Sequence, residues 1–344
     1  MDQIKFAVIG AGFMGSLLTR IGHALPYARC VAVADVDQHR AQALAAPCDA
    51  KSYHDYQEML EQEHPEAVIV ATPEFSHREP AVKAARQGCH LFVEKPLATT
   101  LEDADAIIAA CADARVILMT GYVLRFEYGY SMIKAAVDGG NIGRFLSAYG
   151  RRNVSISEAR RLAGRVSPVT YIAVHDIDQF LWYHPVAVRA VSAKALRGRV
   201  WEELKTYDFA WITIEFEDGA LAVEEVGWGL PETWAAWKTP TSWGGFGDVQ
   251  MNVIGTQGTV NLNFTPMNIV ACDQEGWKLP DTRHWPALNG KSAGAARMEV
   301  EHFFECIIRG EKPVVTGSDG RQSLEVMLAA ERSITEGQNV ELPL

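Results

Sequence analysis

Short apolar segments alternate with stretches of helical periodicity along the first third of the chain. Each segment has the length of a buried strand, and the five segments are residues 4–9, 30–34, 67–73, 91–97 and 116–120. A glycine, a proline or an aspartate stands at or just after the end of each one. Strands that alternate with helices in this way predict a parallel, doubly wound sheet.

The pattern changes from about residue 141, where strand-like segments follow one another with less helix between them. The predicted strands are residues 145–151, 188–195, 209–216, 220–226, 249–254 and 259–263. Glu217-Asp218-Gly219 predicts a hairpin turn, and a second hairpin is predicted around residues 255–258. A helix is predicted over residues 169–183. This half of the chain is expected to form an antiparallel sheet, one face of which must be covered.

Residues 10–15 have the pattern G-x-G-x-x-G, directly after the first predicted strand and at the start of a predicted helix. The first glycine permits a tight turn, the second lets the backbone approach a pyrophosphate, and the third lets the helix pack close to the strand. The phosphates would rest on the helix N-terminus. The predicted cofactor-binding residues of this motif are Gly10, Gly12, Phe13, Met14 and Gly15.

The second predicted strand ends at Asp35, which lies 20 residues after Gly15. A carboxylate that accepts hydrogen bonds from the adenosine ribose is expected at this place. Asp35 would repel a 2′-phosphate, so NAD is favoured over NADP, although the nearby Arg40 softens that preference. A glycine-rich turn beside a surface aspartate is the alternative interpretation.

The segment 91–97 ends in Glu94-Lys95-Pro96. Pro96 has no N–H group for a sheet ladder, so the strand is expected to end there. Ligands bind outside the carboxyl ends of the strands in open α/β sheets, which makes Lys95 a candidate ligand-binding residue. A solvated lysine at a strand end is the alternative.

Composition narrows the class of protein. The chain has 344 residues, 48% of them hydrophobic, which is enough for two domains. Its net charge of −11 disfavours nucleic-acid and anionic-membrane partners. No signal peptide, membrane-spanning run or metal-ligand spacing is recognised, and the six cysteines are scattered. We therefore expect a cytoplasmic protein with reduced thiols and no metal.

These motifs resemble the glucose–fructose oxidoreductase/inositol dehydrogenase (Gfo/Idh/MocA) family of NAD(P)-dependent sugar and polyol dehydrogenases. The resemblance covers nearly the whole chain. Besides the motifs above it is carried by Ala71-Thr72-Pro73 with His77, by residues 121–126, by His175-Asp176-Ile177-Asp178 and by residues 324–342. It implies a Rossmann domain over residues 1–123 and an α/β domain with a large, mostly antiparallel open sheet over residues 124–344. The C-terminal helix is a candidate to pack back on the first domain.

The resemblance also implies roles for individual residues. Lys95 would contact the substrate, the bond before Pro96 is often cis, and His175 would serve as the acid/base beside the reacting hydroxyl. Further cofactor-binding residues would be Thr72, Pro73, His77, Glu94 and Lys95. Substrate-binding residues from the same motifs would be Lys95, Tyr122, Arg125 and His175.

The chain departs from the family at residue 171. An aspartate is usual four residues before the histidine, and Tyr171 stands there instead. A tyrosine can donate a hydrogen bond or act as acid/base itself, so Tyr171 is a third candidate catalytic residue. Asp178, three residues after His175, could face the same side of the helix. A core histidine without a catalytic role is the alternative for His175.

Two clusters have open interpretations. Six arginines lie between residues 144 and 165, with Glu158 as the only acid. They indicate either an anionic substrate, bound through Arg152 and Arg161, or a loop that pairs with acidic residues of another subunit. The tryptophans at 228, 234, 237 and 243 could stack on sugar C–H surfaces or could be buried at interfaces.

The sequence thus predicts an NAD-dependent oxidoreductase that acts on a hydroxyl of a sugar, a sugar acid or a cyclic polyol. A redox-neutral lyase or glycosidase that uses bound NAD for transient oxidation is the alternative, and a non-catalytic NAD sensor is a third. Because one face of the antiparallel sheet needs a cover, a homodimer or homotetramer is expected.

Overall fold

The computed structural model describes residues 3–232, 234, 247–264, 271–274, 276–278 and 281–344. The chain forms two compact units. Unit 1 comprises residues 1–123 and 288–324, and unit 2 comprises residues 124–287 and 325–344. The helix that contains residues 324 and 325 therefore runs from one unit into the other.

Strands and helices alternate in the first part of unit 1. These elements are β1 (Ile4–Ile9), α1 (Phe13–His23), β2 (Ala28–Ala34), α2 (Gln38–Ala45), β3 (Lys51–Tyr53), α3 (Tyr56–Glu63), β4 (Ala67–Val70), α4 (Arg78–Arg86), β5 (His90–Glu94), α5 (Leu101–Ala114) and β6 (Leu118–Gly121). Short 3₁₀ turns cover Ala46–Cys48, Glu74–Ser76 and Val123–Phe126.

The six strands form one parallel sheet with the order β3-β2-β1-β4-β5-β6. This is the Rossmann order, and the predicted doubly wound sheet is confirmed. Every residue of β4 is buried, as expected for a strand covered by helices on both faces. The order reverses between β1 and β4, so the loops that follow these two strands flank the place where such sheets bind ligands.

Local signals explain where the helices of unit 1 begin. The Asp37 carboxylate accepts from two N–H groups in the first turn of α2. Thr100 Oγ1 accepts from the Asp103 N–H at 3.1 Å at the start of α5. Both side chains satisfy N–H groups that have no partner inside the helix.

The elements after β6 are listed here in chain order. They are α6 (Tyr128–Asp138), β7 (Phe145–Ser155), α7 (Ile156–Leu162), a π-helical segment (Val169–Ala173), α8 (Val174–Tyr183), β8 (Val188–Leu196), α9 (Arg199–Leu204), β9 (Phe209–Phe216), β10 (Leu221–Leu230), β11 (Asp248–Gly255), β12 (Thr259–Asn263), β13 (Ala271–Asp273), β14 (Gly276–Lys278), β15 (Ala287–Leu288), β16 (Lys291–Ser292), α10 (Ala295–Arg309), α11 (Gly317–Glu336) and β17 (Val340–Glu341).

Helix α10 contributes to the core of unit 1. Its Phe304 ring lies 5.2 Å from the ring of Phe6 in β1, and its Phe303 ring lies 5.8 Å from that of Phe92 in β5. Gly22 of α1 faces the same rings, because a Cβ atom there would lie 2.9 Å from Phe6. Residues far apart in the sequence thus close one face of the Rossmann sheet.

The large sheet of unit 2 has the order β12-β11-β7-β10-β9-β8-β17. Its pairs are antiparallel except β7 with β10, so the predicted mostly antiparallel sheet is confirmed. Alternate residues of β9 are buried, beginning with Ala210 and ending with Phe216, while Trp211 on the opposite face is exposed. Helix α8 and the π-helical segment pack against the buried face.

Two predictions made from the composition concern the cysteine thiols and membrane-spanning segments. Five cysteines lie in the part of the chain whose side chains are described, and all five are buried and free of disulfides. In that part of the chain, no helix is both long and apolar enough to cross a bilayer.

Candidate functional site

The glycine-rich loop joins β1 to α1 in a conformation that depends on two of its three glycines, Gly10 and Gly15. Gly10 has φ +101°, and a Cβ atom there would lie 2.6 Å from the Ala71 carbonyl oxygen. A Cβ atom on Gly15 would lie 1.8 Å from the Gly10 carbonyl oxygen. Gly12, the N-cap of α1, instead borders open space: among the described residues other than its chain neighbours, nothing lies within 4 Å of its ideal Cβ position.

This geometry fits a dinucleotide. Gly10 and Gly15 are required for packing inside the loop, whereas Gly12 leaves room on the outer side for a pyrophosphate to approach the backbone. The helix that starts at Phe13 directs its N-terminus and positive dipole end toward the same space. Phe13 is exposed and Met14 is half-buried, and their contact with a cofactor stays a prediction.

Asp35 follows β2 and lies against the glycine-rich loop. Its Oδ2 atom accepts from the Ala11 N–H at 2.6 Å, and its Oδ1 atom accepts from the Asp37 N–H at 2.8 Å. Each carboxylate oxygen can accept a further hydrogen bond, and the side chain is half-buried. Two ribose hydroxyls are the donors that a dinucleotide would supply here. Arg40 pairs with Asp37 at 3.3 Å.

The ends of β4 and β5 hold two buried polar atoms that have no hydrogen-bond partner among the described residues. One is Glu94 Oε1 and the other is Thr72 Oγ1. Glu94 Oε2 accepts from the Lys95 N–H at 3.2 Å. Burial raises the pKa of Glu94 to about 7, although the charge of Lys95 opposes the shift. Such orphaned groups at the ligand-binding edge of a sheet fit a polar ligand.

Lys95 stands one residue beyond β5 and is half-buried. The Lys95–Pro96 peptide bond is cis, as the resemblance implied. Pro73 is exposed, and Tyr122, directly after β6, is fully buried. The structure therefore brings Lys95, Glu94 and Thr72 to one edge of the sheet of unit 1.

His77 is only 1% exposed and connects the loops after β4 and β5. Its Nε2 atom lies 3.0 Å from the Thr72 carbonyl oxygen, and its Nδ1 atom lies 3.0 Å from that of Pro96. Burial lowers the pKa of His77, while these carbonyl groups oppose that shift. Its position is that of a side chain that holds both loops, and direct contact with the cofactor stays a prediction.

Helix α8 carries His175, which is half-buried, between two buried ion pairs. The Arg152 guanidinium donates to both Asp176 oxygens, at 2.5 and 2.9 Å. The Arg125 guanidinium donates to both Asp178 oxygens, at 2.9 and 2.7 Å. Arg125 and Arg152, predicted to bind substrate, are thus buried and bonded to carboxylates of α8.

Tyr171 lies in the π-helical segment, four residues before His175. Arg161 of α7 donates from Nη2 to the Tyr171 hydroxyl oxygen at 2.8 Å. The same guanidinium donates to Glu158 at 3.0 and 2.7 Å. The structure therefore places Tyr171 and Arg161, two residues with different predicted roles, in direct contact.

The arginine cluster pairs largely with acids of the same unit. Beyond Arg152 and Arg161, Arg151 lies 2.9 Å from Asp248, and Arg160 pairs with Glu203 at 2.6 Å. Partners within the chain thus account for four of the six arginines. Ion pairs within the chain are therefore a third interpretation of the arginine cluster, which sequence reasoning had not considered.

Of the four tryptophans, Trp228 is fully buried and donates from Nε1 to the Tyr207 carbonyl oxygen at 2.8 Å. Trp234 is half-buried. Trp237 and Trp243 lie outside the described residues, so stacking on a sugar stays a prediction. Within the described ranges, no group of three or more histidine, cysteine or acidic side chains could hold a metal ion.

Sequence reasoning missed Glu224, a fully buried carboxyl of β10 near Asp176. Burial and the Asp176 charge raise its pKa well above the ordinary value. Alternation was the available signal, because Ala222 and Val226 share its face of the strand and are buried.

Fold and site together define an oxidoreductase with an NAD-binding Rossmann domain. The chain belongs to the Gfo/Idh/MocA oxidoreductase family: the family's NAD-binding Rossmann model matches residues 4–122, and its C-terminal alpha/beta model matches residues 134–342.

Three relatives illustrate the range of the family. An NAD⁺-dependent scyllo-inositol 2-dehydrogenase of Bacillus subtilis is 28% identical over 99% of this chain and 96% of its own length. A 2,7-anhydro-N-acetylneuraminate hydratase of Mediterraneibacter gnavus is 32% identical, over 68% of this chain and 63% of its own. The solved scyllo-inositol dehydrogenase of Lactobacillus casei, with bound NAD(H) and scyllo-inositol, is 20% identical with a TM-score of 0.83 and covers 99% of both chains.

Proposed function

We propose that this protein is an NAD-dependent dehydrogenase that acts on a secondary hydroxyl of a sugar, a sugar acid or a cyclic polyol. The observation that carries the proposal is the set of polar groups at the ligand-binding edge of the unit 1 sheet. There Lys95 follows Glu94, whose Oε1 atom is buried and, like Thr72 Oγ1 in the loop after the neighbouring strand, has no partner among the described residues. A polar ligand with several hydroxyl groups matches these atoms.

The cofactor-binding role rests on three features of the same edge. The open space beside Gly12 accepts the pyrophosphate, and Asp35 accepts from the adenosine ribose. Asp35 also disfavours a 2′-phosphate, so we propose NAD rather than NADP. When bound, NAD supplies the hydride acceptor.

The remaining chemistry belongs to side chains of this protein. A charged Lys95 stabilises the negative charge that develops on the reacting oxygen. We propose that His175 and Tyr171 form the acid/base pair that moves the proton leaving the hydroxyl, because imidazole and phenol both exchange protons as general acids and bases. Several relatives are named inositol dehydrogenases, which favours a cyclic polyol among the candidate substrates.

A redox-neutral reaction is the second candidate. Tyr171 in place of an aspartate changes the acid/base group, and the hydratase is 32% identical over two thirds of this chain. In such a reaction the substrate would be oxidised transiently, would lose or gain a group beside the new carbonyl, and would then be reduced again. Net NADH would not accumulate.

The test is an absorbance assay at ~340 nm with NAD and a panel of inositols, sugars and sugar acids. Steady growth of NADH with one compound supports the dehydrogenase. Loss of substrate that needs NAD, without NADH growth, supports the redox-neutral reaction instead. If no compound in the panel reacts but NAD binds in calorimetry, the sensor hypothesis gains support.

Lys95→Ala tests the assignment of the lysine. We expect turnover to fall by about a hundredfold or more while NAD still binds, because the charge that stabilises the reacting oxygen is lost. Lys83→Ala is the matched control, since Lys83 lies on the surface of the same unit in an ion pair with Glu61. Normal turnover of Lys95→Ala would remove Lys95 from the mechanism.

A further inference from the structure

The contact between Arg161 and Tyr171 joins two short segments of unit 2. Helix α7 ends at Leu162, and the chain returns through residues 163–168 to the π-helical segment that carries Tyr171. The Tyr171 N–H donates to the Ser167 carbonyl oxygen at 3.1 Å, so the backbone at Tyr171 is held as well. π-Helical turns are uncommon and occur often at functional sites.

The hydrogen bond has a defined direction, because a guanidinium has donors only. Arg161 therefore donates and the Tyr171 oxygen accepts, whether the tyrosine is a phenol or a phenolate. A fixed positive charge 2.8 Å from the oxygen favours the phenolate. Burial alone would lower the pKa of Arg161, but the contacts with Glu158 and Tyr171 raise it, so the guanidinium stays charged.

Glu158 orients the guanidinium without taking it away from Tyr171. Glu158 and Arg161 are three residues apart on α7 and therefore share a helix face. Nη2 of Arg161 donates both to Glu158 Oε2, at 2.7 Å, and to the Tyr171 oxygen, at 2.8 Å. Other titratable side chains around the segment include His175 on α8 and Glu331 of α11, which bonds Ser167. Burial raises the pKa of Glu331.

We propose that Arg161 is a positioning residue that holds the Tyr171 oxygen and favours its phenolate form, so that Tyr171 accepts the proton of the substrate hydroxyl. The O–H bond of the substrate breaks and an O–H bond forms on Tyr171. The electron pair stays on the substrate oxygen, which becomes the carbonyl oxygen as the hydride leaves for NAD. This catalytic role of Tyr171 rests on the proposed function, whereas the effect of Arg161 on Tyr171 does not.

The pairing gives Arg161 a different role from its neighbour in the sequence. Arg160 donates to Glu203 and also pairs with Glu232, whereas Arg161 donates to Tyr171. The two arginines therefore form a matched pair for mutation: they share a helix and a charge, both are partly exposed, and they differ in their contact with Tyr171.

The experiment is a phenolate titration by ultraviolet absorbance, without NAD or substrate. The chain has ten tyrosines, so the signal of Tyr171 is isolated as the difference between a protein and the same protein carrying Tyr171→Phe. We expect Tyr171 to ionise at a pH about one unit lower in the wild type than in the Arg161→Gln background. The expected shift is at the low end of the range for an adjacent opposite charge, since Arg161 is partly exposed.

Two further variants separate charge from structure. Arg160→Gln should leave the ionisation of Tyr171 unchanged, and Arg161→Lys should restore part of the shift, because it keeps the charge but not the fork of donors. Circular dichroism confirms that each variant is folded. An unchanged Tyr171 titration in Arg161→Gln, or equal shifts in Arg160→Gln and Arg161→Gln, would overturn the proposal.

The catalytic part is read from the pH profile of kcat with the substrate found above. Arg161→Gln should move the rising limb to higher pH by the same amount as the Tyr171 titration, without a matching rise in KM. A titration shift with an unchanged kcat profile would overturn the proton-accepting role of Tyr171. In that case the dehydrogenase itself would stand, since NADH formation is measured separately.

Discussion

Replacing Glu94 by glutamine should stabilise the NAD-free protein at neutral and alkaline pH. Glu94 is buried at the end of β5, and this burial raises its pKa from the ordinary 4.5 to about 7. In the unfolded chain the same carboxyl ionises near its ordinary value. At a pH above that value, folding must therefore either keep a proton on Glu94 that the unfolded chain would lose to water, or bury the charged carboxylate. Glutamine has nearly the same shape and no proton to lose.

The size and sign of the effect follow from these two pKa values. Because the folded pKa is the higher one, the contribution of Glu94 is fully present below about pH 4.5 and is lost as the pH rises to about 7. The difference of about 2.5 units, at about 1.4 kcal/mol per unit, corresponds to roughly 3 kcal/mol at pH 8. At pH 5 the same relation gives a difference in unfolding free energy of only about 1 kcal/mol.

The assay is urea unfolding of both proteins at pH 5, 6, 7 and 8, followed by circular dichroism. Glu102→Gln is the matched control, because its side chain is 84% exposed in the same unit and should show no such trend. Glu94→Gln should gain stability relative to wild type as the pH rises and should level off above pH 7. A gain that is equal at pH 5 and pH 8, or a loss at pH 8, would refute this account of Glu94.

Four other predictions concern the site and the assembly. Asp178→Asn should lower the free energy of unfolding by about 3–5 kcal/mol, since it leaves a buried guanidinium without its counter-charge; a change below about 1 kcal/mol in urea unfolding would contradict this. Gly12→Ala should weaken NAD binding in calorimetry with the melting temperature kept, whereas Gly15→Ala should lower the melting temperature; the reverse pattern would be inconsistent with the loop geometry. Asp35→Ser should reduce the preference for NAD over NADP by about tenfold or more, as judged from both dissociation constants, and an unchanged ratio would argue against its ribose contact. Light scattering should give a dimer or tetramer, and Trp211→Glu on the exposed sheet face should lower the mass; a wild-type monomer would count against the covered face.

Five of the six strands of the parallel sheet were predictable because each combines a strong apolar run with a chemical stop signal, whereas β3 (Lys51–Tyr53) has no such run and was not predicted. β1 coincides with the predicted residues 4–9, since Gly10 turns the chain directly after it. β4 is shorter than predicted and ends at Val70, because the chain turns into the loop that holds Thr72 before the proline. Strand propensity identifies such segments, but the residue at which the hydrogen-bond ladder of the sheet ends depends on the partner strand.

Two features of unit 2 were beyond prediction from local sequence. The helix predicted over residues 169–183 is a π-helical segment followed by α8, and nothing in its apolar periodicity distinguishes the two. Strand β7 continues to Ser155 rather than ending near residue 151, because it lies between β10 and β11, which both pair with it. Long-range pairing decides these boundaries.

In the candidate site, too, some residues could be predicted from the sequence and others could not. The cofactor-binding residues were predictable because a phosphate loop needs glycine at fixed spacing and a ribose needs a carboxylate at a strand end. The arginines were not, since a guanidinium suits a substrate anion and a protein carboxylate equally well. Only the fold shows that Arg152 bonds Asp176 and that Arg161 bonds Tyr171.

The two buried ion pairs of α8 explain how a half-buried His175 can be held in one orientation. Successive helical residues are about 100° apart, so Asp176 lies to one side of His175 and Asp178 lies about 60° to the other. The first aspartate is bonded to an arginine of β7 and the second to an arginine of the 3₁₀ turn before α6. Buried pairs add little net stability, because desolvation offsets most of the attraction. Their consequence here is therefore geometric: rotation of α8 in either direction would break two bidentate contacts, and the arc of the helix that carries His175 is fixed between them.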